Sequence, residues 1–111
     1  MTGALFDEAV LDPVARYLHL TREVMPRLAR AGQVTWPVRE DHCFQRIVLD
    51  AVVGDVWYAH LARPAYKHLS LAQARRAVAL CEGIIDGSVD VHALNRASLR
   101  YRGKSVPPAA G

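Results

Sequence analysis

Residues 41–62 read Asp41-His42-Cys43-Phe44-Gln45-Arg46-Ile47-Val48-Leu49-Asp50-Ala51-Val52-Val53-Gly54-Asp55-Val56-Trp57-Tyr58-Ala59-His60-Leu61-Ala62. Counted at about 100° per residue, Phe44, Ile47, Val48, Ala51, Val52 and Tyr58 share one broad face, which is the periodicity of a helix with a buried side. The segment predicts the longest helix of the chain, from about Asp41, which can cap its start, to Ala62, with Pro64 just beyond its end. Gly54 falls inside. Glycine costs about 1 kcal/mol relative to alanine in an exposed helix, so Gly54 is expected to permit close packing. The opposite side collects His42, Arg46, Asp50, Val53, Trp57 and His60. Arg46 and Asp50 are spaced i, i+4 and are expected to pair.

Upstream, residues 33–39 (Gln-Val-Thr-Trp-Pro-Val-Arg) read as extended, because Pro37 pushes Trp36 away from helical angles. Before them, Asp12-Pro13 makes a cap and first-turn pair. The apolar pattern Leu18, Leu20, Val24, Met25, Leu28 then follows, with a weaker turn at Leu5–Leu11 ahead of it. Pro26 interrupts the pattern: either the helix kinks, or a second helix starts near Thr21, which can cap it. Gly32 is the expected stop. Downstream, Ser70-Leu71-Ala72-Gln73 is a capping box. It leads a helix with Leu71, Ala74, Val78, Cys81 and Ile85 on one face, ending at Asp86-Gly87. A short helix from about Asp90 to Arg100 closes the pattern. The expected fold is all-α: a compact bundle of four to five helices with an extended Trp-Pro segment and a basic C-terminal tail. Residues 1–104 form one helical domain, and residues 105–111 are expected to be a disordered tail.

Composition agrees with this. In 111 residues, 51% are hydrophobic and 23% charged, enough to bury a modest core without disulfides or metal. No run approaches the roughly 18 apolar residues of a membrane span, and the first twelve residues carry acids before any base, unlike a secretory leader. A cytoplasmic location is therefore expected, with Cys43 and Cys81 as buried thiols in a reducing compartment. The net charge of +3 is concentrated at one end: no acid follows Asp90, whereas Arg96, Arg100, Arg102 and Lys104 do. Without those four, 10 bases face 11 acids, so a broad nucleic-acid-binding face is not indicated.

Several groups have the chemistry for a site. A guanidinium, a carboxylate and an indole along one helix side suit a planar or anionic ligand, or a partner helix. Next to them, the segment Trp57 to His68 interleaves aromatic and basic residues, including Tyr66, Lys67 and His68. The site residues expected from this are His42, Arg46, Asp50, Trp57, His60, Tyr66, Lys67 and His68. Arg96, Arg100, Tyr101, Arg102 and Lys104 form a second, phosphate-seeking group. His42, Cys43, His60, His68 and Cys81 match no metal-ligand spacing, so no metal is expected. No Gly-rich phosphate loop occurs, and no cofactor is expected.

Three fragments carry a family likeness: Trp36-Pro37-Val38-Arg39-Glu40-Asp41-His42-Cys43-Phe44-Gln45-Arg46-Ile47-Val48-Leu49-Asp50, then Arg63-Pro64-Ala65-Tyr66-Lys67-His68-Leu69, then Leu94-Asn95-Arg96-Ala97-Ser98-Leu99-Arg100-Tyr101-Arg102-Gly103-Lys104. Over residues 36–104 the chain resembles small bacterial and some fungal proteins identified as acetyltransferases of the GNAT superfamily. The resemblance implies acyl transfer and marks Trp36, His42, Cys43, Arg46, Asp50, Tyr66, Lys67 and the terminal Arg-Tyr-Arg. It carries over no coenzyme ligand, because the superfamily's mixed sheet and its Arg/Gln-x-x-Gly-x-Gly/Ala loop have no counterpart in this sequence. Three functions follow as expectations. The first is a non-enzymatic module binding a protein partner or a small anionic ligand through the polar-aromatic helix side. The second is nucleic-acid binding by the basic end, and the third is acyl transfer with His42 or His60 as general base. A homodimer through an exposed Trp is a further expectation.

Overall fold

The computed structural model describes residues 12–103. They form an all-α bundle of four helices: α1 (residues 13–30), α2 (Asp41–Val53), α3 (Leu71–Asp86) and α4 (Val91–Tyr101). Two single 3₁₀ turns, Trp57–Ala59 and Ala65–Lys67, lie in the connection between α2 and α3, and no strand occurs among the described residues. The turn at Leu5–Leu11, Lys104 and the tail 105–111 lie outside the described residues.

The start of α1 follows from two residues. The Asp12 carboxylate accepts from the Val14 and Ala15 N–H groups at 3.0 and 3.3 Å, and Pro13 takes the first turn, where no N–H is needed. Pro26 neither breaks the helix nor forces a restart at Thr21. Instead Leu20–Val24 widen into a π turn between the α-helical stretches Pro13–His19 and Met25–Arg30. Proline lacks an N–H and crowds the carbonyl four residues back; a π turn shifts the bonding register by one residue ahead of it. Thr21 is no cap: buried, it donates its hydroxyl to the Tyr17 carbonyl at 2.9 Å. Gly32, at φ +80°, follows the end of α1 as expected.

Helix α2 is shorter than its sequence suggests. It ends at Val53 because Gly54 turns left-handed (φ +74°) and donates to the Asp50 carbonyl at 2.8 Å. Nothing lies within 4 Å of where a Gly54 Cβ would stand, so this glycine terminates a helix and makes no close contact. The close contact belongs to Gly83 in α3, where a Cβ would collide with Val89 Cγ2. Asp41 sits inside the helix rather than capping it; Glu40 holds the cap position and Asp41 accepts from the His42 N–H. Phe44, Ile47 and Val48 are fully buried as expected, whereas Tyr58 is 48% exposed because the helix has already ended.

In α3 both halves of the capping box form: Gln73 N–H donates to Ser70 Oγ at 3.0 Å, and Ser70 N–H donates to Gln73 Oε1 at 2.9 Å. The helix stops at Asp86 with Gly87 at φ +89°. Its buried line is Ala74, Ala77, Cys81 and Ile84, rotated from the expected face, and Leu71 is 56% exposed. Asp90 caps α4 through His92 and Ala93 N–H. The broadest pairings are α1 along α3 and α4 along α2. Tyr17, Met25, Phe44, Ile47, Val48 and Cys81 fill the space between them. Trp36, from the connection before α2, is pinned edge-on to Phe44 at 5.6 Å. Both thiols are free. Cys81 is buried, and desolvation, aided by Glu82, pushes its thiol up to about 12; Cys43, expected to be buried, is only half-buried. No helix among the described residues is long and apolar enough to cross a membrane.

Candidate functional site

Asp50 is the hub of a closed polar network. It is fully buried, yet its two oxygens accept four hydrogen bonds. Oδ2 takes the Ser98 hydroxyl at 2.6 Å and Arg102 Nε at 3.0 Å. Oδ1 takes Arg102 Nη2 at 3.1 Å and the Trp57 backbone N–H at 2.9 Å. The Arg102 contact is two-pronged, the geometry in which a guanidinium binds a carboxylate best. One carboxylate thus ties α2 to the end of α4 and to the turn carrying Trp57. The expected Arg46–Asp50 pair does not form. Arg46 reaches across to α4, donating to Ser98 Oγ at 2.7 Å and to Asn95 Oδ1 at 2.9 Å. The two residues communicate only through the Ser98 hydroxyl, which accepts from Arg46 and donates to Asp50. Asp50 therefore cannot belong to a recognition surface: its carboxylate is turned inward and satisfied by its own chain. The physical reason is that α4 docks on this side of α2, a tertiary contact that spacing within one helix does not encode.

On the other side of Arg46 lies an open cavity of about 350 Å³ between α1, α2 and the connection that follows α2. Its wall carries three guanidiniums, from Arg22, Arg46 and Arg63, together with Trp57, Tyr66 and His42. Gln45, Leu18, Leu49, Pro64, Ala65 and the buried Tyr17 complete the lining. Each arginine is positioned without a carboxylate. Arg22 lies over the Tyr66 ring, with Cζ 5.5 Å from its centroid. Arg63 lies over Trp57 at 5.0 Å and Tyr58 at 5.4 Å. Among the described residues none of the three meets an acidic partner. Arg75 and Arg76 also lack one, but they stand on the exposed side of α3 and do not border this cavity. Gln45 is held by donating its side-chain amide to Thr21 Oγ1 at 3.0 Å, so the π turn of α1 supports the wall. Burial, then the neighbouring Cys81, pushes the Tyr17 phenol well above its usual range, so it stays a neutral donor.

The sequence-expected residues divide accordingly. His42, Arg46, Trp57 and Tyr66 border the cavity. Asp50 lies in the closed network. His60 does not border the cavity; its Nε2 is 3.1 Å from Asp55 Oδ2. Lys67 and His68 are exposed and outside the lining. Of the basic end, Arg96 and Arg100 are exposed and Tyr101 is 41% exposed, but Arg102 is withdrawn into the bond with Asp50, which removes it from any phosphate-contacting group. Arg22 and Arg63 were missed as site residues. Arg63 stands in the aromatic-basic segment already noted, whereas nothing local to α1 points from Arg22 to residues forty positions away. Compared with family models, curated proteins and solved structures, the chain finds no match.

Proposed function

We propose that this protein binds a small anionic ligand in the cavity bordered by Arg22, Arg46 and Arg63. The observation that carries the reading is the convergence of three guanidiniums, without a carboxylate among the described residues, on one concave space. Like charges gathered around a partly enclosed volume raise its potential, and an anion entering it relieves that repulsion. The volume is at the lower end of small-molecule sites, which run from about 300 to 1,000 Å³. The arginines are also pre-positioned, by aromatic rings and by Ser98 and Asn95, which reduces the ordering cost of binding. On this proposal the chain acts as a binding module. His42 borders the cavity but is exposed, with Asp41 at 3.6 Å as its ion-pair neighbour, and His60, paired with Asp55, lies outside the lining, so no base hydrogen-bonded to a carboxylate faces the cavity to support acyl transfer there.

Thermal denaturation in inorganic phosphate and in citrate tests the proposal. Both salts stabilise proteins generally by exclusion from the surface, so the control is the double variant Arg22→Ala/Arg63→Ala. The native chain is expected to gain melting temperature saturably with anion concentration, and the double variant to keep its helical circular dichroism but lose the saturable part. Equal shifts in both chains would reject the cavity as an anion site.

A further inference from the structure

We infer that the ligand of this cavity is a compact oxyanion carrying two or more negative charges, gripped by guanidinium edges rather than stacked on the aromatic rings. The inference rests on the anion-binding reading above and narrows it. Its first support is the donor inventory. A guanidinium has five N–H donors. Arg46 spends one on Ser98 and one on Asn95, leaving three. Arg22 and Arg63 donate to no described side chain or carbonyl; they are held by ring faces instead. A guanidinium seated on a ring keeps its N–H groups in its own plane, free to meet an oxygen edge-on. The wall is therefore rich in donors and poor in acceptors, since no carboxylate side chain borders it. A neutral polar molecule or a cation would find few acceptors there.

The second support is the state of the rings. Tyr66 already has Arg22 over it. Trp57 has Arg63 over it and Tyr58 edge-on at 5.7 Å and 81°. The rings are engaged in seating the arginines, and an aromatic group on the ligand would compete with those contacts. The third support is charge balance. A monoanion would leave at least two of the three guanidiniums unneutralised in the same small space, whereas a dicarboxylate or a phosphoryl dianion can meet two or all three at once. Both ligand types share the required chemistry, closely spaced oxygens bearing a double charge.

Isothermal titration of the full chain with acetate, succinate, tricarballylate, glycerol phosphate and benzoate at fixed ionic strength tests this. Affinity is expected to rise by about tenfold with each added carboxylate, the scale of one charge-assisted hydrogen bond. Glycerol phosphate is expected to match or exceed succinate if the natural ligand carries a phosphoryl group, and to fall below it if it is a polycarboxylate; either order supports the inference. Arg63→Ala should bring succinate down toward acetate, with Arg63→Lys recovering part of the difference. Equal binding of acetate and succinate, or benzoate binding more tightly than succinate, would overturn the inference while leaving the anion site standing. Binding of none of the five would remove both.

Discussion

Arg46 and Asp50 stand one turn apart on α2, yet they belong to opposite kinds of charge cluster. Asp50 is sealed between α2 and α4, with every contact supplied by the chain itself: Ser98, the two prongs of Arg102 and the Trp57 N–H. Arg46 faces a cavity where two further guanidiniums wait on aromatic rings with no acid among the described residues to answer them. A closed cluster contributes to folding and has nothing left to offer a ligand. An open one contributes little to folding and retains its donors. The contrast separates structural charge from available charge within a single helix, and the most informative substitutions are those that act on one cluster and leave the other alone.

The largest effect is expected from Asp50→Ala. It leaves the half-buried Arg102 without its carboxylate and takes away the acceptor of the Trp57 N–H and of the Ser98 hydroxyl proton. Breaking a buried ion pair from one side typically costs about 3–5 kcal/mol, so urea denaturation should show a loss of that order, with α4 losing hydrogen-exchange protection first. A loss below about 1 kcal/mol would mean that the network is not closed in solution. Next comes Arg46→Ala, the one substitution that touches both clusters. It removes two charge-assisted bonds to α4, for an expected cost of about 1–3 kcal/mol, and it also weakens phosphate binding. Stability loss with unchanged binding would assign Arg46 wholly to the closed side.

Arg63→Ala is expected to fall within about 0.5 kcal/mol of the native stability, as exposed substitutions do, while reducing anion binding. A clear destabilisation would show that its seat over Trp57 and Tyr58 is itself structural, and the distinction between the two clusters would blur.

How much of this the sequence discloses depends on whether a feature is local. The Ser70–Gln73 capping box, the Asp12-Pro13 start and the Asp86-Gly87 stop are each contained within four residues, and each forms as read. The all-α class follows from periodicity over a dozen residues or more. Gly54 was misjudged because a glycine inside an apolar pattern is compatible with packing or with termination, and only the backbone angle decides; here it terminates, and the close approach is at Gly83. Pro26 hid a third solution, the π turn, within which Thr21 bonds the Tyr17 carbonyl of its own helix and the Gln45 amide of α2. The polar side of α2 reads as a stripe in the sequence, but the partners of Asp50 come from α4, about fifty residues away. Four of the twelve lining residues, His42, Arg46, Trp57 and Tyr66, are legible because they lie on α2 and the segment after it. Arg22 comes from another helix and has no signature of its own.

The smallest expected effect concerns acid. Asp55, just past the end of α2, is held below the usual carboxylate range, first by the Val56 backbone N–H at 2.7 Å and then by His60. A carboxyl whose folded value lies below its unfolded one, near 3.9 for aspartate, adds stability that is complete above the unfolded value and disappears as pH falls through the folded one. Asp55→Asn keeps an oxygen acceptor for the Val56 N–H but cannot ionise, so the gap between native and variant isolates the charge. Urea midpoints should differ slightly at neutral pH and converge as the solution is acidified through the depressed value. Because Asp55 is solvent-accessible, the gap should also shrink in high salt, unlike the cost of Asp50→Ala, which burial shields from screening. A gap that persists undiminished at low pH would mean that Asp55 acts through its shape, and that only the sealed carboxylate of this helix end contributes to stability through its charge.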